Sequence, residues 1–252
     1  LPGFQDVDND VLRKKFEEAW GTTFTGQVGL NLTEMFEAMA TRELRAVWVV
    51  GENPADSEAD AKHARAMLEG LDVLVVQDVF MTRTAQLADV VFPAALGWAE
   101  SDGTVTSSER RVQRTRAAIS PPGQARQEID IIADLAQRMG AADWGYPTAE
   151  ELWDELRALS PMHGGMSWQR LADEGGLQWP CPDEDHPGSR FLHGRLWERP
   201  ISGRRAPFSC VEHRPPIDAL SEEFPLRLTT GRALDSFNTG VQTESFNSPI
   251  RS

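Results

Sequence analysis

Cysteine is scarce in this sequence: Cys181 and Cys210 are the only two among 252 residues. Two thiols build neither a disulfide framework nor a closed metal site by themselves. They suit a reducing compartment, so a cytoplasmic location is expected. No apolar run approaches the roughly 20 residues needed to span a bilayer. The start, LPGFQDVDND, lacks the basic and apolar regions of a signal peptide. Positive charge is also short, because 25 Lys plus Arg face 39 Asp plus Glu for a formal charge of −14. A grip on nucleic-acid phosphates needs the opposite balance, and an anionic membrane surface is disfavoured for the same reason. The five histidines are scattered without an i, i+4 pair. No P-loop, GxGxxG or Ser–His–Asp order is present, which leaves hydrolase and kinase readings without support.

What the sequence does contain is strand–helix alternation. The spacing predicts helices over Val11–Trp20 and Leu32–Thr41, the second with Leu32, Met35, Phe36 and Met39 on one face. AVWVV, Ala46–Val50, is apolar at every position, the pattern of a strand covered on both faces of a parallel sheet. A helix over Ser57–Leu68 is expected next, with Ser57 and Asp60 arranged like a capping box. Strand Val73–Val76, a short helix Thr82–Leu87 and strand Asp89–Phe92 follow. Three such alternations predict an α/β fold, a doubly wound and mostly parallel sheet with flanking helices. Gly103–Arg116 reads as extended, and PPG at 121–123 interrupts the chain. A helix over Gln127–Met139 would align Ile129, Ile132, Ala136 and Met139, with Gly140 past its end. Thr148 and Glu151 form a capping box that opens a helix through Leu159. The expected organisation is therefore an α/β domain over 1–159, an irregular connecting segment over 160–222, and the first strand of a further β domain over 223–252, opened by Leu226–Thr230. Both ends read as cut, since no initiator Met is present and NSPIRS trails off. The chain is expected to be a piece of a longer protein.

In an open α/β sheet, ligands bind beyond the carboxyl ends of the strands. GENPADS after the first strand offers Gly51 for a sharp turn and close backbone approach, and helix-start N–H groups for an anion. Asn53 can read a base or ribose through its amide. VQD ends the second strand with Gln77, suited to an amide-like edge, and Asp78, an acceptor for ribose hydroxyls or guanine N–H groups. GENPADS alone fits a plain βα turn as well as a ligand site, and a lone VQD reads as an exposed strand end; together they favour a nucleotide. CPDEDH (Cys181–His186) resembles a metal set on paper but matches no zinc spacing, and reads as a solvated acidic loop. Arg110, Arg111, Arg114 and Arg116 could grip a phosphate or a partner, although such runs are more often salt-bridged faces.

In order, GENP, VVQDVFMTRTAQLADVVFPA, the ESDGTVTSSERRVQRTR segment and FPLRLTTGR resemble the bis-molybdopterin-guanine-dinucleotide oxidoreductases of molybdenum or tungsten, the dimethyl sulfoxide reductase family. The flanks LPGFQDV, KFEEAWG, ELWDELRALSP and GLQWPCP resemble the formate dehydrogenase branch, its catalytic alpha subunit. The resemblance implies a dinucleotide-binding-like domain that holds one of two pterin-guanine dinucleotides (MGD). It places Gly51, Glu52, Asn53, Ser57, Gln77, Asp78 and Thr82 near the nucleotide, and Glu128 at an acidic cofactor contact. It also implies that Thr230, Gly231, Arg232 and Ser236 approach the pterin at the start of the final domain. Relatives often carry Asp where Asn53 stands, so a carboxylate contact would become an amide contact.

The family's cysteine cluster for a 4Fe-4S centre and its metal-ligating Cys or selenocysteine are not found in this sequence, and Cys181 and Cys210 stand in neither context. The expected whole is thus a formate dehydrogenase that oxidises formate to carbon dioxide. This piece would carry no catalytic or metal-ligating residue, be inactive alone and hold no cofactor by itself. The remainder of the catalytic subunit is its expected partner, together with electron-transfer subunits. Three other readings remain open. One is a nitrate or other oxyanion reductase of the same family. Another is a cofactor-free structural subunit, like the large iron–sulfur subunit of respiratory complex I. The third is a simple nucleotide-binding module.

Overall fold

The computed structural model describes residues 1–141, 144–192, 208–229 and 231. Two compact units divide the chain, Leu1–Arg190 and Phe191–Ser252. The first opens with helix α1, Asp10–Trp20, whose N-cap Asn9 accepts from the N–H groups of Val11 and Leu12. Helix α2, Leu32–Ala40, starts in a full capping box between Asn31 and Glu34. Strand β1, Ala46–Val50, leads into the single turn α3, Pro54–Ser57, and helix α4, Ala61–Glu69. Strand β2, Val73–Asp78, the turn α5, Arg83–Gln86, and strand β3, Val90–Pro93, complete a parallel sheet in the order β1-β2-β3. The chain is a mixed α/β structure with a parallel sheet and flanking helices, as the alternation predicts.

The expected helix Ser57–Leu68 is in fact two. Proline is well placed at a helix start, so Pro54 begins α3, and Ser57 ends this single turn. Asp60 then caps α4 by accepting from the His63 N–H at 3.0 Å. Ser57 and Asp60 therefore form no capping box. An aspartate directly before the helical run satisfies a first-turn N–H that Ser57, three residues earlier, does not reach.

Side chains alternate across a strand, and the sheet uses its two faces differently. Val47 and Val49 of β1, Leu74 and Val76 of β2, and Val91 of β3 pack with Phe36, Met39, Ala64 and Leu68 into the main core. Trp48, Gln77 and Phe92 lie on the opposite face, where Val50, Val73 and Val90 are 48, 44 and 43% exposed. The all-apolar AVWVV pattern implies cover on both faces, and within this chain the helix layer covers one.

The extended segment after β3 is a hairpin of antiparallel strands β4, Gly103–Thr106, and β5, Arg111–Thr115, joined to the short strand β6, Leu177–Gln178. Helix α6, Glu128–Arg138, follows the PPG break. Ile131 and Ala133 are buried, whereas Ile132 and Met139 are 44 and 79% exposed. Residues two apart stand on nearly opposite sides of a helix, so the fold buries parts of two sides and not the single predicted stripe Ile129–Ile132–Ala136–Met139. Gly140 takes a positive φ of 104° past the end, as expected.

Helix α7, Ala149–Leu159, has the predicted Thr148–Glu151 capping box. The segment from Ser160 contains helix α8, Trp168–Asp173, as well as β6. Trp153, Met166, Trp168, Leu171, Leu177, Cys181 and Val112 form a second core there. In the unit that starts at Phe191, the described residues include no helix or strand, only a turn in which Phe224 N–H donates to Ser221 Oγ at 3.0 Å. The expected strand at Leu226–Thr230 is not formed over the described residues 226–229, where Leu226 and Leu228 are 87 and 92% exposed. A strand needs a partner for its backbone groups, and no described residue pairs with this one.

Candidate functional site

Parallel pairing brings the ends of β1 and β2 side by side, with Val50 in register with Gln77 and Gln77 with Phe92. Just beyond, the Gly51 N–H donates to the Gln77 carbonyl at 2.9 Å. Gly51 holds φ 64°, and a side chain there would meet nothing within 4 Å. Its backbone is thus exposed at the carboxyl edge of the sheet, in a conformation that favours glycine. Glu52 is also exposed. Ser57, Glu52 and Pro54 line one end of a cavity of about 470 Å³ between α2 and β1, otherwise walled by apolar side chains such as Met35, Phe36 and Val49.

Gln77 is 1% exposed, and neither its Nε2 nor its Oε1 has a hydrogen-bond partner among the described residues. The indole Nε1 of Trp48 is in the same condition. The Trp48 and Phe92 rings lie 6.2 Å apart, reaching toward each other across β2 from the two neighbouring strands. Both rings lie on the sheet face that carries Gln77, with Phe92 in register beside it. A buried amide left without partners costs on the order of 1–3 kcal/mol, and no described residue offsets that cost for Gln77. Asp78, next in the strand, accepts from the Phe80 N–H at 2.9 Å. Burial pushes its carboxyl above the ordinary value of 3.8, against the backbone N–H groups of Phe80 and Val79. Thr82 is the N-cap of α5 and accepts from the Ala85 N–H at 3.1 Å.

Asn53 stands with these residues but is 7% exposed and engaged within the protein. Its Oδ1 accepts from the N–H and the hydroxyl of Thr84 at 3.2 and 2.7 Å. Its Nδ2 donates to Asp56 at 3.0 Å. Thr84, Asp56 and the arginines on Asp56 belong to this edge although sequence reading passes over them. Asn53 and Thr84 are 31 residues apart, and no local pattern reports such a contact. The alternation of β1 and β3 does place Trp48 and Phe92 on Gln77's face, and that signal was available.

Glu128 begins α6, two residues after Arg126, whose backbone pairs in parallel with Ala94 beyond β3. It lines a separate cavity of about 490 Å³ with Ser101, Asp102, Gln127 and Tyr146. Gly231 lies in the second unit, and Thr230, Arg232 and Ser236 lie outside the described residues. Within the arginine run Arg110 and Arg114 are half-buried against tryptophans, while Arg116 is exposed. Arg110 stacks on Trp179 and donates to the Ser189 carbonyl at 2.9 Å, and Arg114 lies 4.1 Å from the Trp168 ring centre. Arg111 pairs with Glu109 at 2.8 Å. In the CPDEDH loop the acidic side chains are exposed, while Cys181 is buried beside Arg170, which donates to the His186 carbonyl at 2.8 Å. Among the described residues no helix is long and apolar enough to cross a membrane.

This arrangement defines a class: an α/β unit with a parallel sheet, a type that in general binds ligands beyond the carboxyl ends of its strands. The family model described as molybdopterin oxidoreductase matches residues 11–138, and the chain belongs to that family. The chain is 41% identical over 244 residues to the F420-dependent formate dehydrogenase subunit alpha of Methanocaldococcus jannaschii, covering 96% of this chain and 35% of that protein. It is 34% identical to formate dehydrogenase H of Escherichia coli, covering 96% and 34%. The assimilatory nitrate reductase catalytic subunit of Bacillus subtilis is also 34% identical, with 96% and 35% covered. The chain thus spans about a third of the length of these relatives.

Proposed function

We propose that this chain forms the nucleotide-holding part of the catalytic subunit of a molybdopterin-dependent formate dehydrogenase. Support comes from the formate dehydrogenases of M. jannaschii and E. coli, which match along nearly the whole chain. The observation that carries the site is the unpartnered, buried Gln77 amide at the end of β2, beside the exposed Gly51 backbone. Those groups fit the guanine end of a pterin-guanine dinucleotide: one donor and one acceptor for a base edge, and an open glycine for close approach. When bound, the pterin-held metal, molybdenum or tungsten, supplies the two-electron oxidation of formate to carbon dioxide and a proton.

The residues of this chain bind and orient. Gly51, Glu52 and Ser57 offer the first loop, and Gln77, Asp78 and Thr82 the second. Asp78 accepts N–H groups of the base or hydroxyls of the ribose. Glu128 would meet the cofactor beyond the next strand end, and Thr230, Gly231, Arg232 and Ser236 would approach the pterin. The whole enzyme would hold two such dinucleotides and a 4Fe-4S centre, with the remaining polypeptide and electron-transfer subunits as partners. Free Cys181 and Cys210 support a cytoplasmic location.

The experiment uses the full-length subunit. Gln77→Met keeps the side-chain length and removes both amide atoms. It should lower the GMP released per metal atom by about five-fold or more, as loss of a buried hydrogen-bonded edge implies. Unchanged nucleotide content with unchanged formate oxidation would refute the site. The match to the nitrate reductase favours one other reading, so the purified enzyme is assayed with both substrates. Nitrate reduction without formate oxidation would transfer the assignment to that branch.

A further inference from the structure

We propose that Asn53 and Thr84 are positioning residues that lock the two strand-end loops together, so that the nucleotide meets one rigid edge instead of two independent turns. The inference rests on the proposed nucleotide site and assigns Asn53 a role other than reading a base.

The lock is a closed set of hydrogen bonds. Thr84, 0% exposed, gives its one hydroxyl proton to Asn53 Oδ1 at 2.7 Å and accepts the Ala55 N–H at 3.1 Å. Its backbone N–H also donates to Asn53 Oδ1, at 3.2 Å. Both lone pairs of the Asn53 carbonyl are thereby used, and an amide oxygen has no third. On its other side Asn53 Nδ2 donates to Asp56 Oδ2 at 3.0 Å. Asp56 Oδ1 in turn receives Arg65 at 3.0 Å and Arg83 at 3.1 Å. Arg65 Nε closes the ring of contacts on the Ala55 carbonyl at 2.9 Å.

The geometry needs such a lock. The turns α3 and α5 contain four residues each, too few to hold themselves by helix propagation. Asn53 occupies the N-cap position of α3 yet its side chain makes no capping bond to the backbone of that turn. Its polar atoms are spent on the other loop and on Asp56. Gly51 and Glu52 immediately precede Asn53, and Thr82 and Arg83 immediately precede Thr84. Fixing the pair to each other therefore fixes the spacing of the exposed groups on both loops. Held in advance, that spacing costs the cofactor no ordering of the loops on binding.

The test uses the full-length subunit, with GMP released per metal atom and thermal unfolding measured on the same samples. Thr84→Val keeps the shape but leaves Asn53 Oδ1 and the Ala55 N–H short of a partner. Bound nucleotide should fall about five-fold or more in protein with native circular dichroism, while Thr84→Ser, which keeps the hydroxyl, restores it. Wild-type nucleotide in Thr84→Val, with nucleotide lost in Gln77→Met, overturns the lock and leaves the site reading intact. Nucleotide retained in both overturns the site reading itself. If Thr84→Val is not recovered folded, hydrogen exchange of Asp56→Asn decides, since Asp56 lies at the outer end of the network. Residues 51–57 and 79–86 should lose protection together. Loss confined to 51–57 overturns the lock.

Discussion

The Gly51 N–H donates to the Gln77 carbonyl at 2.9 Å, so the turn after the first strand begins against the end of the second. That bond sets the backbone of a φ 64° glycine beside a buried amide with no partner among the described residues. In the proposed site the glycine would offer approach and the amide recognition. Neither identity is explained by packing, because the space where a Gly51 side chain would stand is open.

Gly51→Ala tests the conformational requirement without a steric clash to confuse it. The left-handed region costs an L-residue about 1–2 kcal/mol, so urea unfolding should show a loss of that size. Gly51→Asn should cost less, because asparagine visits this region more readily. Equal stability of glycine and alanine would mean that the turn relaxes to another conformation.

The split between α3 and α4 predicts an asymmetry between two polar residues. Asp60→Ala removes the cap on the His63 N–H and should destabilise the chain by about 1 kcal/mol. Ser57→Ala, at the end of the preceding turn, should fall within about 0.5 kcal/mol of wild type. Thermal or urea unfolding of the two variants compares them directly, and a reversed order would contradict the assignment.

A pH dependence follows from His163. Its ring lies 5.7 Å from Trp153 and 6.3 Å from Trp179, and Nδ1 shares a 2.7 Å hydrogen bond with the buried Ser160 hydroxyl. Burial lowers its pKa from the ordinary 6.5. The unfolded chain therefore binds the proton first as pH falls, and protonation favours unfolding. This contribution to stability is complete above about pH 6.5, declines as pH drops toward the folded-state value, and is constant below it. Asp78, whose carboxyl burial raises, acts with the opposite sign and nearer the carboxylate range. Urea midpoints should fall as pH drops below about 6.5, and His163→Phe should flatten that slope. An unchanged slope in the variant would assign the effect to other groups.

Much of this was legible in the residues themselves. The all-apolar runs AVWVV and VLVV became paired parallel strands because continuous β-branched segments between turn signals have few alternatives. The Thr148–Glu151 box and Gly140 marked helix boundaries through contacts at most a few residues away. The face of α6 was not legible, since Ile129, Ile131, Ile132 and Ala133 allow more than one apolar stripe. The role of Asn53 escaped for a different reason: its side chain answers to Thr84, far along the chain.

The sequence alone determined the strand–helix order, the polar endings of two successive strands and the family resemblance, because each rests on neighbouring residues or on motif order. Only the tertiary structure decided how those endings are used. Parallel register set Gln77 between Val50 and Phe92 and left its amide buried without a partner among the described residues. Long-range hydrogen bonding consumed the Asn53 carbonyl. Two residues with interchangeable amide chemistry were thereby separated into one without a partner among the described residues and one bonded to Thr84 and Asp56. What separates them is which other groups the fold brings within hydrogen-bonding distance.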